Sequence, residues 1–269
     1  RMGGLLGAIR CRGKLKMRRY WVEKKDLFAD QVNFSGDVFH HIFDVCRQEV
    51  GSKFEVLTED SKAYFVEVTQ VSKKSATARV LEERAIPPLK NPHIHLALSL
   101  SRFPVMDAIM EKAVEMGVKS IQPFFSEFSF LRKGDKLSDN KMDRWEKIVR
   151  SATQQSGRGD LMKVQDAIPF EKLSQLINRN EQQVGLFAYE GPSTLSIKEY
   201  CSKIKSEHPQ GIKEIWIIVG SEGGFSHSEV QAFEKLGLHP VTLGQQVLRV
   251  ETACMALVSV LKYDFDLMC

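Results

Sequence analysis

Paired cysteines, long apolar runs and clustered metal ligands are all missing from this 269-residue sequence. None of its five cysteines forms a Cys-x-x-Cys pair, which argues against a zinc site and a dense disulfide framework and fits a reducing cytoplasm. No apolar run approaches the roughly 20 residues that cross a bilayer, so we expect no membrane contact. The pairs His40–His41 and His93–His95 have no third ligand nearby in the sequence, and we therefore predict no metal site.

Two standard phosphate-binding motifs are also absent. No Lys follows the glycines of residues 217–229, as a P-loop requires, and the spacing of those glycines does not fit the dinucleotide-binding pattern. A Rossmann-like methyltransferase would carry a glycine-rich turn after an early strand, but the residues after 93–100 contain none. The sequence therefore argues against P-loop NTPases, Rossmann dehydrogenases and Rossmann-like methyltransferases.

Positive charge is concentrated at the start of the chain. The net charge is +4, yet residues 1–16 contain five basic residues and no acid, so the remainder carries −1. We interpret residues 1–16 as a cloning-derived or leader extension, with Met17 as the natural start, and exclude them from the fold. The basic isoelectric point is then no evidence for nucleic-acid binding, and any basic surface must be local.

The hydrophobic pattern predicts two domains joined by a short linker. Residues 17–84 are rich in short β-branched and apolar runs, which predict a small β domain. Residues 85–92 contain three prolines, which favour a linker. Residues 93–269 alternate between strand and helix patterns, which predicts an α/β domain with a mostly parallel sheet. The clearest expected strands are 93–100, 183–190, 214–220 and 239–244, and the clearest helices are 104–117, 141–157 and 251–265.

Residues 217–229, IIVGSEGGFSHSE, are the first segment that could form a ligand-binding or catalytic site. A buried strand leads into Gly220, Gly223 and Gly224, and a helix is expected to start near Ser226. Glycines allow a sharp turn and a close approach to a ligand, and open α/β sheets bind ligands at the carboxyl ends of their strands. Taken alone, the segment fits a ligand site and a bare strand-to-helix turn equally well.

Residues 242–257, TLGQQVLRVETACMAL, form the second segment. Arg249 stands just before a helix N-terminus, an end that favours anions rather than cations. A substrate would explain a cation at that place. A surface ion pair between Arg249 and Glu251 explains it equally well from spacing alone.

Together, GSEGGFS and the later LGQQVLRVETA resemble the SPOUT methyltransferases, and more narrowly the RsmE family, which methylates N3 of one uridine in 16S ribosomal RNA. The resemblance extends from Met17 onward. Further matching segments are MRRYWV, His40 and His41, VCRQEVG with Arg47, EKAVEMGVKSIQPFFSE and RWEKIVRSATQQSGR.

The resemblance implies a particular architecture and setting. It implies a PUA-like β-barrel that binds RNA at residues 17–84, and a SPOUT domain with a trefoil knot at residues 93–269. It also implies a homodimer in the cytoplasm that acts on 16S ribosomal RNA, in assembled or late-precursor small ribosomal subunits. The implied cofactor is S-adenosyl-L-methionine, without a metal.

Methylation of uracil N3 removes a proton from between two carbonyls, so negative charge develops on the flanking oxygens. We expect Arg249 to stabilise that charge, and Glu251 or Glu222 to be the base if a carboxylate is one. The expected cofactor-binding residues are Val219, Gly220, Glu222, Gly223, Gly224, Leu243, Gly244, Leu248, Arg249, Thr252 and Ala253.

RNA contacts are expected from a few placed residues, because the chain after residue 16 has no net positive charge. The candidates are Arg18, Arg19, His40, Arg47, Arg102 and Arg158. The sequence departs from the RsmE pattern at Ser221, where Pro is usual, at Phe128, where Arg is common, and at Gln154, where Glu is common. We expect Ser221 to loosen the glycine turn.

Two alternatives remain open from the sequence. One is a SPOUT enzyme with another RNA target, such as transfer RNA or a ribose 2′-hydroxyl. The other is a catalytically silent RNA-binding assembly factor.

Overall fold

The computed structural model describes residues 17–131, 137–177, 180–192 and 194–268, so the extension predicted at residues 1–16 lies outside it. The described chain divides into an N-terminal unit that ends at Ala85 and a C-terminal unit that begins at Ile86. Ala85, where the predicted linker begins, is still the last residue of a strand.

Six strands form a single sheet in the described part of the N-terminal unit, in the order β1-β4-β5-β6-β3-β2. β1 runs parallel to β4, and every other neighbouring pair is antiparallel. Two register shifts in the β5–β6 pairing interrupt the ladder, and such irregularities bend a sheet around its core. The strands are β1 (Arg19–Trp21), β2 (Leu27–Phe28), β3 (Gln31–Ser35), β4 (Lys53–Leu57), β5 (Lys62–Val71) and β6 (Ser75–Ala85).

A short helical segment that the sequence did not predict packs on this sheet. Helix α1 (Gly36–Phe39) continues as a π-helical stretch over His40–Val45. Its apolar side chains Phe39, Ile42 and Phe43 enter the same core as the strand residues, and Phe34 lies edge-on to Phe43 at 5.6 Å. The segment is held by burial of this apolar stripe, since a helix of its length is marginal by itself.

One carboxylate connects the first and last strands of the N-terminal unit. Glu55 on β4 accepts hydrogen bonds at 2.8 Å from Arg19 on β1 and from Arg84 on β6. Burial alone would raise the pKa of Glu55, but the hydrogen bonds and charges of Arg84 and Arg19 outweigh it and lower the pKa. The charge of Arg19 is therefore locally compensated.

The C-terminal unit contains a sheet of eight strands within the described ranges, and every pair in it is parallel. Its order is β10-β8-β7-β13-β11-β14-β12, with β9 beside β8. The predicted parallel sheet is thus confirmed. The strands are β7 (His93–Ser99), β8 (Ser120–Phe125), β9 (Lys163–Val164), β10 (Ile168–Pro169), β11 (Gln183–Ala188), β12 (Leu195–Ser196), β13 (Glu214–Val219) and β14 (His239–Thr242).

Helices cover both faces of the parallel sheet. α2, α3, α5 and α7 contribute to one core, where Trp145 and Tyr200 are fully buried, and α4 and α6 contribute to the other, around Phe187 and Phe233. Gly157 ends α3 in the left-handed conformation, as the sequence indicated. The helices are α2 (Phe103–Glu115), α3 (Asp139–Ser156), α4 (Phe170–Leu173), α5 (Ile197–Glu207), α6 (His227–Lys235) and α7 (Val250–Asp264).

Candidate cofactor and catalytic site

A cavity of about 780 Å³ opens at the carboxyl edge of the parallel sheet. Loops that follow four strands contribute to it: β7, β11, β13 and β14. This is the edge at which open α/β sheets bind ligands. A second concavity of about 530 Å³ is lined by α3 alone, and no strand end reaches it, so we regard it as a surface groove.

The glycine turn after β13 forms one wall of the cavity. Gly220 is buried, and a Cβ there would lie 2.9–3.0 Å from the backbone of Gly224. Gly224 has a φ of +71°, and its N–H donates to the carbonyl of Ser221 at 2.9 Å. A Cβ on Gly223 would lie 2.7 Å from the Cβ of Phe128. The glycines are therefore required by the turn itself, whether or not a ligand is bound.

Ser221 does not loosen this turn, contrary to the expectation from the sequence. Its hydroxyl donates a hydrogen bond of 2.6 Å to the carbonyl of Phe128, in the loop after β8. Ser221 is also buried. The hydroxyl therefore joins the glycine turn to the loop after β8, two strands away in the sheet.

The N-terminus of α6 follows the turn and is closed by a capping box. Ser226 accepts from the backbone of Glu229, and the Glu229 carboxylate accepts from the backbone of Ser226. The second carboxylate oxygen of Glu229 accepts from the Glu127 backbone at 2.9 Å. This buried side chain thus fixes both the start of α6 and the loop after β8.

The loop between β14 and α7 forms another wall. Gly244 has a φ of +125°, and its backbone N–H and carbonyl both hydrogen-bond the Thr242 hydroxyl. Val247 at the tip is 81% exposed, whereas Leu248 packs partly against the core. A left-handed backbone at Gly244 explains a glycine there independently of any ligand.

Arg249 lies at the N-cap of α7 and lines the cavity. Its side chain is exposed and makes no ion pair or hydrogen bond with any described residue, Glu251 included. The alternative in which Glu251 neutralises Arg249 is therefore not supported. Glu251 lines the same cavity, as does Glu222, whose Oε1 accepts from the backbone N–H of Arg102 at 3.3 Å.

The structure brings most of the predicted site residues together. All three catalytic candidates line the cavity, whereas Gly244 and the exposed Thr252 of the cofactor set do not. The other cofactor candidates do, namely Val219, Gly220, Glu222, Gly223, Gly224, Leu243, Leu248, Arg249 and Ala253.

Sequence reasoning missed the loop after β11. Tyr189, Glu190 and Gly191 line the cavity, and the Tyr189 ring lies against Gly191. The signal was present, because residues 183–190 were predicted as a strand and its carboxyl end belongs to the ligand-binding edge.

The residues predicted to contact RNA differ in their exposure and in their hydrogen-bond partners. In the N-terminal unit, Arg18 donates to the carbonyl of Cys46 at 2.9 Å and His40 contacts Asp44 at 2.8 Å. Arg47 is exposed, with a φ of +54°. In the C-terminal unit, Arg102 lines the cavity.

The structure corrects the prediction that Arg158 contacts RNA. Arg158 is only 8% exposed, and all three guanidinium nitrogens are engaged: Nη1 donates to the carbonyl of Val118 at 2.6 Å, and Nε and Nη2 donate to Asp160 at 2.7 and 3.2 Å. Burial would raise the pKa of Asp160, but Arg158 and then Lys119 lower it overall. Arg158 has no free nitrogen for a phosphate and holds its loop instead.

Two general features of the described residues also bear on the site. They contain no group of three His, Cys, Asp or Glu side chains placed to hold a metal ion. In the part of the chain that the structure describes, no helix has the length and apolar character of a membrane span.

Comparison with known proteins identifies the family. A model of the RNA methyltransferase domain matches residues 88–262, and a model of the RNA methyltransferase PUA domain matches residues 34–81. The ribosomal RNA small subunit methyltransferase E of Buchnera aphidicola is 32% identical over 93% of this chain and 94% of its own length. That of Bacillus subtilis is 30% identical over 94% and 98%.

A solved structure agrees with these relatives. The ribosomal RNA small subunit methyltransferase E of Neisseria gonorrhoeae, bound to S-adenosyl methionine, is 28% identical, with a TM-score of 0.77 over 92% of this chain and 97% of that one. From its fold, its site and its relatives, the chain belongs to the RNA methyltransferase family that includes these small subunit methyltransferases E.

Proposed function

We propose that this protein transfers a methyl group from S-adenosyl-L-methionine to N3 of one uridine in 16S ribosomal RNA. The observation that carries the proposal is the position of Arg249, a cation without a partner among the described residues in the cavity that the glycine turn also lines. The names of the relatives supply the class of RNA.

The residues of the cavity fit the cofactor. Gly220, Gly223 and Gly224 line one wall with backbone only, and a Cβ on Gly224 would meet no described atom within 4 Å. Leu243, Leu248 and Ala253 give the lining an apolar character that suits a purine ring. When bound, S-adenosyl-L-methionine supplies a methyl group on a positively charged sulfur, which becomes a neutral thioether as the methyl leaves.

The protein's own groups act on the uracil. The N3–H bond breaks as the N3–methyl bond forms, and negative charge develops on the O2 and O4 atoms that flank N3. Arg249 donates to one of these oxygens and so stabilises the charge. The proton passes to a carboxylate of the cavity, Glu251 or Glu222, both of which line it.

The wider setting belongs to the same proposal. Residues 17–84 are the RNA-binding domain, residues 85–92 the linker and residues 93–269 the catalytic domain, with Arg18, Arg19, His40, Arg47 and Arg102 as RNA contacts. We further propose that the catalytic domain is knotted and that the protein works as a homodimer in the cytoplasm. Its substrate is the assembled or late-precursor small ribosomal subunit. The reaction requires no metal.

Primer extension tests the proposal. Small subunits from a bacterial strain that lacks its own enzyme of this kind are incubated with the protein and S-adenosyl-L-methionine, and the RNA is then reverse transcribed. N3 methylation blocks Watson–Crick pairing, so we expect one new stop, which requires both components. Nucleoside mass spectrometry must identify 3-methyluridine at that position. A 2′-O-methylated nucleoside would support another SPOUT target, and the absence of cofactor binding by calorimetry would support the silent assembly factor.

A further inference from the structure

Two phenylalanine rings are exposed on the loop that follows β8. Phe128 is 47% exposed and Phe130 is 51% exposed. We call this pair the aromatic shelf. A single exposed apolar side chain is ordinary, but two exposed rings two positions apart form an apolar patch of the kind that often marks an interaction surface.

The shelf is held firmly by hydrogen bonds. The backbone N–H of Glu127 donates to Glu229 at 2.9 Å, the carbonyl of Phe128 accepts from Ser221 at 2.6 Å, and the N–H of Phe130 donates to the carbonyl of Leu100 at 2.6 Å. Each partner lies on a different segment of the C-terminal unit. The rings are therefore presented by an ordered backbone.

The shelf borders the cofactor cavity. The Phe128 side chain packs on Gly223, which lines the cavity, with 2.7 Å between the Phe128 Cβ and an ideal Cβ on Gly223. Phe130 lies edge-on to Phe103 at 5.8 Å, and Phe103 directly follows the cavity residue Arg102.

Positive charge accompanies these rings. The Lys141 ammonium lies 4.2 Å from the centre of the Phe103 ring, and Arg102 is exposed at the cavity. Aromatic faces beside cations are how proteins hold unpaired nucleotides, since the ring stacks on the base and the cation meets the phosphate. A protein partner would favour a broader apolar patch, in whose core charged residues are depleted.

We propose that the aromatic shelf stacks on an unpaired base of the RNA, next to the uridine that enters the cavity. This inference rests on the proposed function, because it assumes an RNA substrate at this cavity. Stacking on one neighbour would keep the strand splayed, so that the target base can leave its own stack.

Kinetics of the full chain test the shelf. The variants are Phe128→Leu, Phe130→Leu, their combination and Phe128→Tyr, with Tyr263→Leu as a matched control, since Tyr263 is an exposed ring on α7 that does not line the cavity. We expect Phe128→Leu to raise KM for the small-subunit substrate by about tenfold, as loss of one stacked base does. Phe128→Tyr should restore KM to within a few fold, and Tyr263→Leu should leave it unchanged. The double variant at the wild-type KM overturns the proposal.

Two further measurements distinguish base stacking from a support of the cofactor pocket and from a protein interface. Cofactor affinity by calorimetry and mass by light scattering should be unchanged in Phe128→Leu. A loss of cofactor binding equal to the loss of activity would make the ring a support of the cofactor pocket, and an altered mass would make it a protein interface. Either result overturns the stacking surface.

Photo-crosslinking gives a readout without activity. Small-subunit RNA containing 5-iodouridine is irradiated with the wild-type protein, and crosslinked peptides are located by mass spectrometry. A crosslink at Phe128 or Phe130 supports the shelf even if no methyl transfer occurs, in which case only the proposed function fails. Methyl transfer without a crosslink at either ring, together with an unchanged KM in the double variant, removes the shelf and leaves the proposed function intact.

Discussion

Glu229 accepts a hydrogen bond of 2.9 Å from the backbone N–H of Glu127, 102 positions earlier in the chain. The same carboxylate accepts from the backbone N–H of Ser226 at 2.9 Å and so caps α6. One buried side chain therefore joins the loop after β8 to the start of α6, which follows the glycine turn.

Glu229→Ala should reduce the free energy of unfolding by about 2 kcal/mol or more, since two backbone N–H groups lose their partner. Urea denaturation measures the change. Glu234→Ala is the matched control, because Glu234 is an exposed acid on the same helix, and it should change the stability by less than about 0.5 kcal/mol. Equal effects of the two substitutions would mean that the Glu229 hydrogen bonds contribute nothing measurable.

Substitution of alanine for glycine in the glycine turn should affect cofactor binding differently at Gly220 and at Gly224. Gly220→Ala places a Cβ within 3.0 Å of the Gly224 backbone, so the turn must shift, and cofactor binding should be lost. Gly224→Ala meets no described atom within 4 Å and adds only left-handed strain, about 1 kcal/mol. Calorimetric titration with S-adenosyl-L-methionine shows whether Gly220→Ala loses more affinity than Gly224→Ala. Equal affinities would show that the turn is not held by the Gly220–Gly224 contact.

Arg249→Ala should slow methyl transfer by about 100- to 1000-fold, the usual effect of losing one donor to a developing anion. Cofactor affinity and Tm should hardly change, because the side chain has no ion pair or hydrogen bond with the described residues. Arg249→Lys should recover only part of the rate, since a point charge replaces a planar fork. Single-turnover methylation at saturating cofactor and RNA is the measurement, and a wild-type rate in Arg249→Ala would exclude a catalytic role.

Arg102 and Arg158 should behave differently in RNA binding. Arg102→Ala should reduce the slope of log affinity against log salt by about one, as for a lost phosphate contact. Arg158→Ala should leave the slope unchanged but cost about 2 kcal/mol of stability, because the carbonyl of Val118 loses its donor and Asp160 retains only Lys119. Filter binding over a salt series, with urea denaturation, measures both. A reduced slope in a folded Arg158→Ala would restore Arg158 as an RNA contact.

His95 should make stability depend on pH. It stacks on Trp216 at 4.7 Å, and burial, then the charges of His93 and Lys119, lowers its pKa to about 4. The unfolded chain takes up a proton near pH 6.5 and the folded one does not, so stability falls as pH drops from 6.5 to about 4, by about 3 kcal/mol in total. Urea denaturation of wild type and His95→Gln across this range isolates the contribution. Parallel pH profiles would show that His95 does not titrate in this way.

The sequence was sufficient to predict those parts of the fold that depend on residues close together in the chain. The apolar run before Gly220 and the glycine at 157 predicted a strand and a helix end correctly, because each depends on its own residues. Gly244 was predicted to bind the cofactor, but the structure gives a backbone reason for the glycine and not a place in the cavity lining.

Long-range relationships could not be predicted in this way. Nothing near Arg158 in the sequence points to the carbonyl of Val118, which lies 40 positions earlier. The sequence could assign the loop of Tyr189 and Glu190 to the ligand-binding edge of the sheet. Its place beside the glycine turn depends on β11 lying between β13 and β14, an order that differs from the order of the chain. The helical stretch of Phe39 and Ile42 was too short to stand out from its strand-rich surroundings.

On the ribosome, β7 emerges long before the strand that completes it. Its residues from His93 to Leu98 pair with those from Glu214 to Val219, so one side of β7 stays open until most of the second unit has been synthesised. The N-terminal unit, whose pairings all lie within its own residues, can close during that interval. The cavity, whose lining extends to Ala253, therefore cannot form until nearly the whole chain has been synthesised. A nascent chain that stalls before β13 exposes an unpaired strand edge to quality control.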